Sequence, residues 1–416
     1  MADIRSYTRE KAKRNAKQNA KPSVKRNGLK LVKADDESLQ EKIHKHKLTY
    51  LYRILLFILI CGAVIAIVLI QYNNKTYTDY EITGSSKFDA TNGTTNLRLG
   101  NKVLTYSKDG AYCTDHEGTV LWNQTYEMQS PIVRICEDVA AIADYNGGMI
   151  YILSSEKQLG TISTNLPIRD LSVAANGVVA AVLDDSKVTW IYVYDAAGKE
   201  YVKFHTTMDK TGYPVSISLS KDALLCAVSY VYIDAGVLKS SVAFYNFDEY
   251  GQNQIDNLVG GYDYTDTVVP YVQFMNDSAA FAVGDDSLMF YSGSQKPILL
   301  SVYYFDSDIQ SIYYNEDYVG IVFYDENGND RYRLEIYDKS GERITTKSFN
   351  IDYTDIIFQE DNFIIYNEEE CMVGTMNNVV KFNGSFKETV SLLIPEKGKY
   401  HYLLVSTDSL DTIQLK

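Results

Sequence analysis

A rhythm of four short strands recurs along residues 78–416 and narrows the choice of fold more than any other pattern in the chain. Each unit begins with an alternating strand, passes through a polar turn and continues into a more apolar strand, as in the segment PIVRICEDVAAIADYNGG. A third and a fourth strand usually follow, and the pattern shows no convincing helical stretch. Repeats of this length and composition predict an all-β fold, a β-propeller. Four prolines open a unit, where a missing N–H costs little: Pro131, Pro167, Pro214 and Pro270.

The number of blades follows from the number of units, and eight are favoured. The final unit has too few strands of its own, because only YHYLLVSTDS and DTIQLK remain before the last residue. The early segment YEITGSSKFDA can supply its outer strand, and such a closure removes the exposed edges of a linear array of sheets. Seven blades is the alternative, since the first and last units are the least regular.

An apolar segment, Ile54–Ile70, contains seventeen consecutive residues without a charge or a strongly polar group. At about 1.5 Å per residue, a helix of this length approaches the thickness of a hydrocarbon core. The residues that follow offer no small-x-small cleavage site, so we interpret the segment as a permanent anchor rather than a cleaved signal. We expect a transmembrane helix at residues 50–72, in contact with the bilayer. Four of its side chains suit the membrane interfaces: Tyr50, Tyr52, Arg53 and Tyr72.

Charge divides the chain into two unequal parts. Residues 1–49 carry a net charge of +8, and residues 72–416 carry −23. The excess of Lys and Arg before the apolar segment predicts a cytoplasmic N-terminus and an extracytoplasmic C-terminal part, as in a type II single-pass protein of the cell membrane. We therefore divide the chain into a basic disordered tail (residues 1–49), a transmembrane helix (50–72) and an extracytoplasmic propeller (73–416). The tail is expected to attract anionic lipid headgroups, whereas the acidic exterior disfavours nucleic acid as a ligand.

Signatures of catalysis are missing from the sequence. His116, His205 and His401 fall in three different units, and no nucleophile elbow, HExxH or Cys/His cluster accompanies them. We expect no catalytic residue, no cofactor and no metal ligand, so that the protein is not an enzyme. One alternative stays open at Asp325–Asp330, where alternating Asp and Asn resemble a calcium loop. We favour a hairpin turn there, because Asp, Asn and Gly are also the usual residues of such turns.

Two sets of residues are candidates for binding. The first rests on the excess of tyrosine, thirty-five in all, because aromatic rings interleaved with acids suit glycan and protein surfaces alike. Its members are Tyr303, Tyr304, Tyr313 and Tyr314. The second rests on the repeat, because the first strand of every blade lines the central channel. We predict a mixed-charge polar ring at one channel mouth, with a solvent-filled channel as the alternative: Arg134, Arg169, Ser216, Gln273, Gln310 and Asp355.

The turn-and-strand rhythm, with the preceding anchor, resembles an uncharacterised family of single-pass, membrane-anchored propeller proteins of Firmicutes. Residues 78–416 also resemble eight-bladed quinoprotein-like propellers, a group that includes the outer-membrane assembly lipoprotein, and more loosely WD40 propellers. The chain has only Trp122 and Trp190 and lacks a repeated Trp-Asp or Gly/Trp docking motif, which argues against a quinone cofactor.

These features favour a non-catalytic protein-interaction scaffold of the cell envelope, with an envelope protein as its partner. A glycan or cell-wall binding or sensing module is the alternative, and it rests on the Tyr/Asp clusters. A quinoprotein-like or hydrolytic enzyme is a lesser alternative, carried by fold analogy alone.

Overall fold

The structure is a computed structural model that describes residues 36–89, 93–186, 188–207, 211–325 and 328–416. The chain divides into two compact units, residues 1–73 and residues 74–416. Most of the tail predicted to be disordered, residues 1–35, lies outside the described residues.

The first unit contains one long helix, α1 (Asp36–Asn73). Its segment Glu41–Val68 is long and apolar enough to cross a membrane, judged by length and composition. The helix begins before the apolar segment, so residues 36–49, the last part of the predicted tail, are helical. Charge spacing helps to explain the difference, because Glu41 precedes Lys45 by one helical turn, the favourable order for such a pair.

The second unit is an eight-bladed propeller of four-stranded antiparallel sheets, which confirms the predicted fold and excludes seven blades. In blades 1 to 4 the strands are, from the innermost outwards, β2 (Thr95–Leu99), β3 (Lys102–Tyr106), β4 (Gly110–Thr114) and β5 (Val120–Thr125); β6 (Pro131–Cys136), β7 (Val139–Asp144), β8 (Met149–Ser154) and β9 (Gln158–Ser163); β10 (Ile168–Val173), β11 (Val179–Asp185), β12 (Val188–Tyr194) and β13 (Glu200–Thr206); β14 (Tyr213–Leu219), β15 (Leu225–Asp234), β16 (Val237–Asn246) and β17 (Leu258–Tyr264).

Blades 5 to 7 repeat the same order. Their strands are β18 (Tyr271–Phe274), β19 (Ala279–Val283), β20 (Ser287–Ser292) and β21 (Ile298–Tyr304); β22 (Ile309–Tyr314), β23 (Tyr318–Tyr324), β24 (Tyr332–Asp338) and β25 (Arg343–Phe349); β26 (Asp355–Gln359), β27 (Asn362–Tyr366), β28 (Glu370–Thr375) and β29 (Val380–Ser385). The β16–β17 connection carries helix α2 (Glu249–Gln252) and a 3₁₀ turn (Ile255–Asn257).

Blade 8 joins the two ends of the propeller. It contains β30 (Val390–Pro395), β31 (His401–Ser406), β32 (Ser409–Leu415) and, as its outer strand, β1 (Tyr80–Lys87). Strands β1 and β32 run antiparallel, with Tyr80 opposite Leu415, which confirms the predicted closure by the early segment. The ring is therefore sealed by hydrogen bonds between residues more than three hundred positions apart.

The apolar core lies between the blades. In the described part of the chain it forms eight clusters of buried side chains, and each cluster draws residues from two neighbouring blades. The second strand of a blade is covered on both faces, and β11, for example, buries Val179 through Leu183. Burial on both faces explains why these strands are continuously apolar in the sequence, where a half-exposed strand would alternate.

Side-chain amides in the turns after the innermost strands also link the blades. Asn176 donates to the carbonyl of Asp222 in the next blade at 3.1 Å, and Asn276 donates to that of Glu316 at 3.0 Å. Asn315 and Gln359 repeat the contact further round the ring. Several blades are therefore linked to the next blade by a side-chain amide at or just after the end of the innermost strand, a feature that the sequence pattern did not indicate.

Blade 4 departs from its neighbours because β15 and β16 are each ten residues long. The flanking strands pair with them only as far as Val231 and Ser240, so residues 232–239 project as a two-stranded ribbon. Ile233, Val237 and Leu238 at its tip are 67%, 52% and 48% exposed.

Candidate functional site

The central channel is lined by the innermost strands. Each of the six residues predicted for the mouth ring lies on a different one of these strands, from β6 to β26. Their side chains have different partners, and the ring itself stays a prediction.

Arg169 and Gln310 occupy β-bulges. The register of β10 shifts between Ile168 and Asp170, and that of β22 shifts between Ile309 and Ser311. A bulged residue has no direct opposite on the neighbouring strand, and its side chain is aimed differently from those beside it.

Arg169 consequently contacts the second strand of its own blade and the loop of the preceding blade. Its guanidinium donates to Asp184 Oδ2 at 2.6 and 3.0 Å, to the Tyr145 hydroxyl at 3.2 Å and to Asn146. Gln310 donates a local bond, to the Asp308 carbonyl at 3.4 Å.

Ser216 links two blades, whereas Gln273 makes local bonds on its own strand. Ser216 is buried, and its hydroxyl accepts from the amide of Val272 in the next blade at 3.1 Å. Gln273 donates to the Phe274 carbonyl at 2.9 Å. The Ser216 hydroxyl is thus satisfied by backbone of the next blade, and the Gln273 carbonyl oxygen also accepts from the Tyr271 hydroxyl at 3.3 Å.

Arg134 pairs with a residue that the sequence reasoning did not name. Its guanidinium donates to Asp170 Oδ1, on the next blade, at 2.7 Å. Asp170 Oδ1 also accepts from the amide of Leu171 at 2.9 Å. Burial raises the pKa of Asp170, and the positive charge of Arg134 acts in the opposite direction. The cation thus offsets part of the cost of placing a carboxylate at the channel wall.

Asp355 is the first residue of β26 and resembles Asp170 in its local contacts. Its Oδ1 accepts from the amide of Ile356 at 2.8 Å, and its Oδ2 accepts from the Tyr366 hydroxyl at 3.4 Å. Burial raises the pKa of Asp355 to about 6. No lysine or arginine in the described parts of the chain pairs with this carboxylate.

Tyr313 and Tyr353 pack against the apolar cluster between blades 6 and 7. Burial raises the pKa of Tyr313 to about 12, and the negative charge of Asp355 adds to the rise. The rings of Tyr313 and Tyr353 meet edge to face at 6.1 Å, and the Tyr353 hydroxyl is 2.8 Å from Ser311 Oγ. Asp355 is therefore a half-buried carboxylate that accepts from a tyrosine hydroxyl and has no counter-ion among the described residues.

The four tyrosines predicted as an aromatic surface are separated. Tyr303 packs between blades 5 and 6, 4.8 Å from the ring of Tyr337, and Tyr313 packs between blades 6 and 7. Tyr304 is 74% exposed at the end of β21. Tyr314 is 41% exposed at the end of β22, the innermost strand of blade 6.

The other end of the channel carries a second charged cluster that the sequence reasoning missed. Lys221, in the turn after β14, pairs with Glu137 after β6 and with Glu316 after β22, the latter at 3.0 Å. These hydrogen bonds raise the pKa of Lys221, with the bond to Glu137 as the largest cause. One lysine thus joins blades 2, 4 and 6 across the channel.

The Asp325–Asp330 segment forms the connection between antiparallel strands β23 and β24, which confirms a hairpin. Residues 326 and 327 lie outside the described residues. Asp325 accepts from the Ser348 hydroxyl at 3.1 Å, and Asp330 accepts from the Asn350 amide at 2.6 Å. Within the described ranges, no group of three or more His, Cys, Asp or Glu residues is placed to hold a metal ion.

Comparison with known proteins identifies the family. The model of a family of unknown function, DUF5711, matches residues 73–415. The chain belongs to the DUF5711 family. No curated protein matches it by sequence.

A solved structure shows that this DUF5711 chain shares its fold with a distant propeller. Sqt1 of Chaetomium thermophilum, bound to the N-terminus of ribosomal protein L10, is 10% identical with a TM-score of 0.51, over 81% of this chain and 100% of that chain. BamB of Moraxella catarrhalis is 10% identical with a TM-score of 0.48, again over 81% and 100%. Identities this low concern the fold alone.

Helix α1 lies almost entirely outside the DUF5711 match, which begins at residue 73. Of the predicted membrane-interface residues, Tyr50, Tyr52 and Arg53 are exposed on this helix, and the side chain of Tyr72 lies outside what the structure describes.

Proposed function

We propose that this DUF5711 protein is a membrane-anchored, extracytoplasmic and non-catalytic scaffold that docks another protein of the cell envelope. The observation that carries the proposal is the ribbon of residues 232–239. Its exposed Ile233, Val237 and Leu238 make no contribution to packing between blades, and the other seven blades fold without such an extension. Apolar side chains displayed on an otherwise acidic surface are characteristic of protein contact sites.

Anchoring and orientation are part of the same proposal. Helix α1 supplies a segment able to span a bilayer, and the excess of Lys and Arg before it favours a cytoplasmic N-terminus. The basic tail then lies against anionic headgroups of the inner leaflet. The resemblance to anchored propellers of Firmicutes supports a bacterial cell membrane as the location.

The similarity to Sqt1 adds modest support for a protein ligand. That propeller is bound to the N-terminus of a ribosomal protein, so the shared fold is compatible with holding a polypeptide. The separated tyrosines do not add support to the glycan alternative, because two of the four are packed between blades.

Photo-crosslinking in cells tests the proposal. A crosslinking amino acid at Ile233 or Leu238 of the full-length protein should yield one recurrent protein adduct, identified by mass spectrometry. The same amino acid at Val120, which is 54% exposed on blade 1, is the matched control and should not yield it. The same adduct obtained from Val120 would contradict the proposal. So would an adduct from a crosslinking amino acid at Val237, a third ribbon position, that survives the double substitution I233S/L238S.

A further inference from the structure

We propose that a cleft between blades 3 and 4 binds a neutral glycan. Cavities of about 300–1,000 Å³ are typical of small-ligand sites. The cleft has a volume of about 530 Å³, and β13 and the β16–β17 connection supply its lining: Tyr201, Val202, Lys203, Phe247, Gln252 and Asn257. The site does not depend on the proposed function, because the cleft and the ribbon lie at opposite ends of β16.

A long connection forms one wall of the cleft. Residues 247–257 join the third and fourth strands of blade 4, whereas three to five residues join them in blades 1 to 3 and 5 to 7. The connection contains helix α2 and ends in two consecutive left-handed residues, Asp256 with a φ of 53° and Asn257 with a φ of 60°. The propeller repeat does not require this connection, and both long loops and strained backbone concentrate at functional sites.

Two side-chain amides on this wall supply hydrogen-bond acceptors. The Gln252 amide donates to the Phe247 carbonyl at 3.0 Å. The Asn257 amide donates to the Asn246 carbonyl at 3.2 Å. These bonds hold both amides by their nitrogen atoms, and neither amide oxygen accepts a hydrogen bond from a residue that the structure describes. Both oxygens are therefore available to hydroxyl groups of a ligand.

Tyr201 supplies an aromatic surface beside the amides. Its ring is perpendicular to that of buried Phe247, with centroids 6.4 Å apart, and the residue is still 45% exposed. A sugar ring has a face of C–H groups, which packs on the negative face of an aromatic ring, and a rim of hydroxyl groups, which pair with polar groups at the side. The cleft offers both kinds of contact.

The charge of the cleft favours a neutral ligand. Lys203 is the charged residue of the lining, and its ammonium group already pairs with Glu200 at 2.9 Å. An anionic ligand needs an uncompensated cation, and an amine needs an uncompensated carboxylate. Grooves that bind peptides hold apolar side chains in apolar pockets, whereas four of the six lining residues here carry polar side-chain groups.

The experiment titrates the full-length protein with neutral tetrasaccharides, in a polyoxyethylene detergent because that detergent carries no sugar. The probes are N-acetylchitotetraose, cellotetraose, maltotetraose and mannotetraose, and saturation-transfer NMR measures their affinities. We expect saturable binding of at least one of them, and no binding of sorbitol, which has hydroxyl groups but no ring. Failure of every tetrasaccharide to bind would overturn the proposal.

Variants locate the site. Y201L should weaken the affinity about ten-fold because it removes the ring, whereas Y201F keeps the ring and should leave the affinity nearly unchanged. N257G removes an amide but tolerates the left-handed conformation, and it should weaken binding several-fold. Y304L is the matched control, because Tyr304 is a 74% exposed tyrosine on the outer strand of blade 5. Unchanged affinity in both Y201L and N257G would place the glycan elsewhere and overturn the assignment.

A crosslinking amino acid at Val202 separates a glycan from a polypeptide. In cells, we expect no recurrent protein adduct from this position. A recurrent adduct that survives I233S/L238S would assign the cleft to a polypeptide and overturn the glycan proposal, whatever the ribbon binds.

Discussion

The channel of this propeller has two sides that treat charge differently. On the side of blades 2 and 3, Asp170 is paired with Arg134 and Asp184 is paired with Arg169, and at the other end of the channel Lys221 pairs with two glutamates. On the side of blade 7, Asp355 has no ionic partner among the described residues and its pKa is raised to about 6. The difference shows that the repeat sets the position of a carboxylate on the innermost strand. Whether a cation pairs with that carboxylate depends on the residues of the neighbouring blades.

The largest expected effect comes from removing the compensation of Asp170. R134M leaves that carboxylate half-buried without a cation, and breaking a well-buried pair costs about 3–5 kcal/mol. Since Arg134 is 48% exposed, we expect a smaller loss, of about 2 kcal/mol in the free energy of unfolding. Urea denaturation measures it, and the double variant R134M/D170N should recover most of the loss. An unchanged midpoint for R134M would show that the two sides do not differ.

Lys221 tests the same principle at the other end of the channel. K221M leaves Glu137 and Glu316 facing each other, and we expect a loss of about 1 kcal/mol at low salt, decreasing as salt is added. K339M is the matched control, because the Lys339–Asp317 pair is more than half exposed on both sides. If K221M and K339M lower the free energy of unfolding by the same amount, the Lys221 cluster stabilises the protein no more than an exposed ion pair does.

Asp355 should respond in the opposite direction. D355N removes an uncompensated charge while Asn can still accept from the Ile356 amide, so we expect the free energy of unfolding to rise by about 1 kcal/mol at pH 7.5. The gain is set well below the full value of the pKa shift, because the carboxylate is only half-buried and water in the channel screens it. A loss of stability in D355N would mean that the charged form is favoured in the folded protein.

The smallest effect is the dependence of that gain on pH. A carboxyl whose pKa is higher in the folded than in the unfolded chain holds its proton more tightly when folded, so stability falls as pH rises from about 4 to about 6. D355N lacks this group, and the difference in stability between variant and wild type should therefore be near zero at pH 4 and complete above pH 6.5. Urea midpoints at four or five pH values measure it, and a constant difference would contradict the assignment.

The sequence was sufficient for the architecture, because strand alternation and turn residues are local properties. The units, the eight blades and the closure by Tyr80–Lys87 follow from them. The innermost position of Arg134 and Asp355 was also predictable, since it depends only on strand order within a unit.

The arrangement of the site was less accessible, for two physical reasons. A bulge at Arg169 changes the direction of its side chain without leaving a mark on the apolar pattern. Contacts between blades, such as Arg134 with Asp170 or Lys221 with Glu316, join residues 36 and 95 positions apart. Pairing at such distances depends on ring geometry, which a single sequence does not display.

Closure of the ring by β1 and β32 also bears on how the protein is made. Strand β1 is synthesised first among the strands of the propeller. It stays unpaired until β32, which ends at Leu415, has been made. Contacts of such high sequence separation form late and slowly. A chain interrupted before β32 would retain two unpaired sheet edges, at blade 8 and at Tyr80–Lys87, and such edges recruit other strands. Closure of the propeller therefore requires synthesis through β32, and a chain truncated before that strand would be prone to aggregate through its unpaired edges.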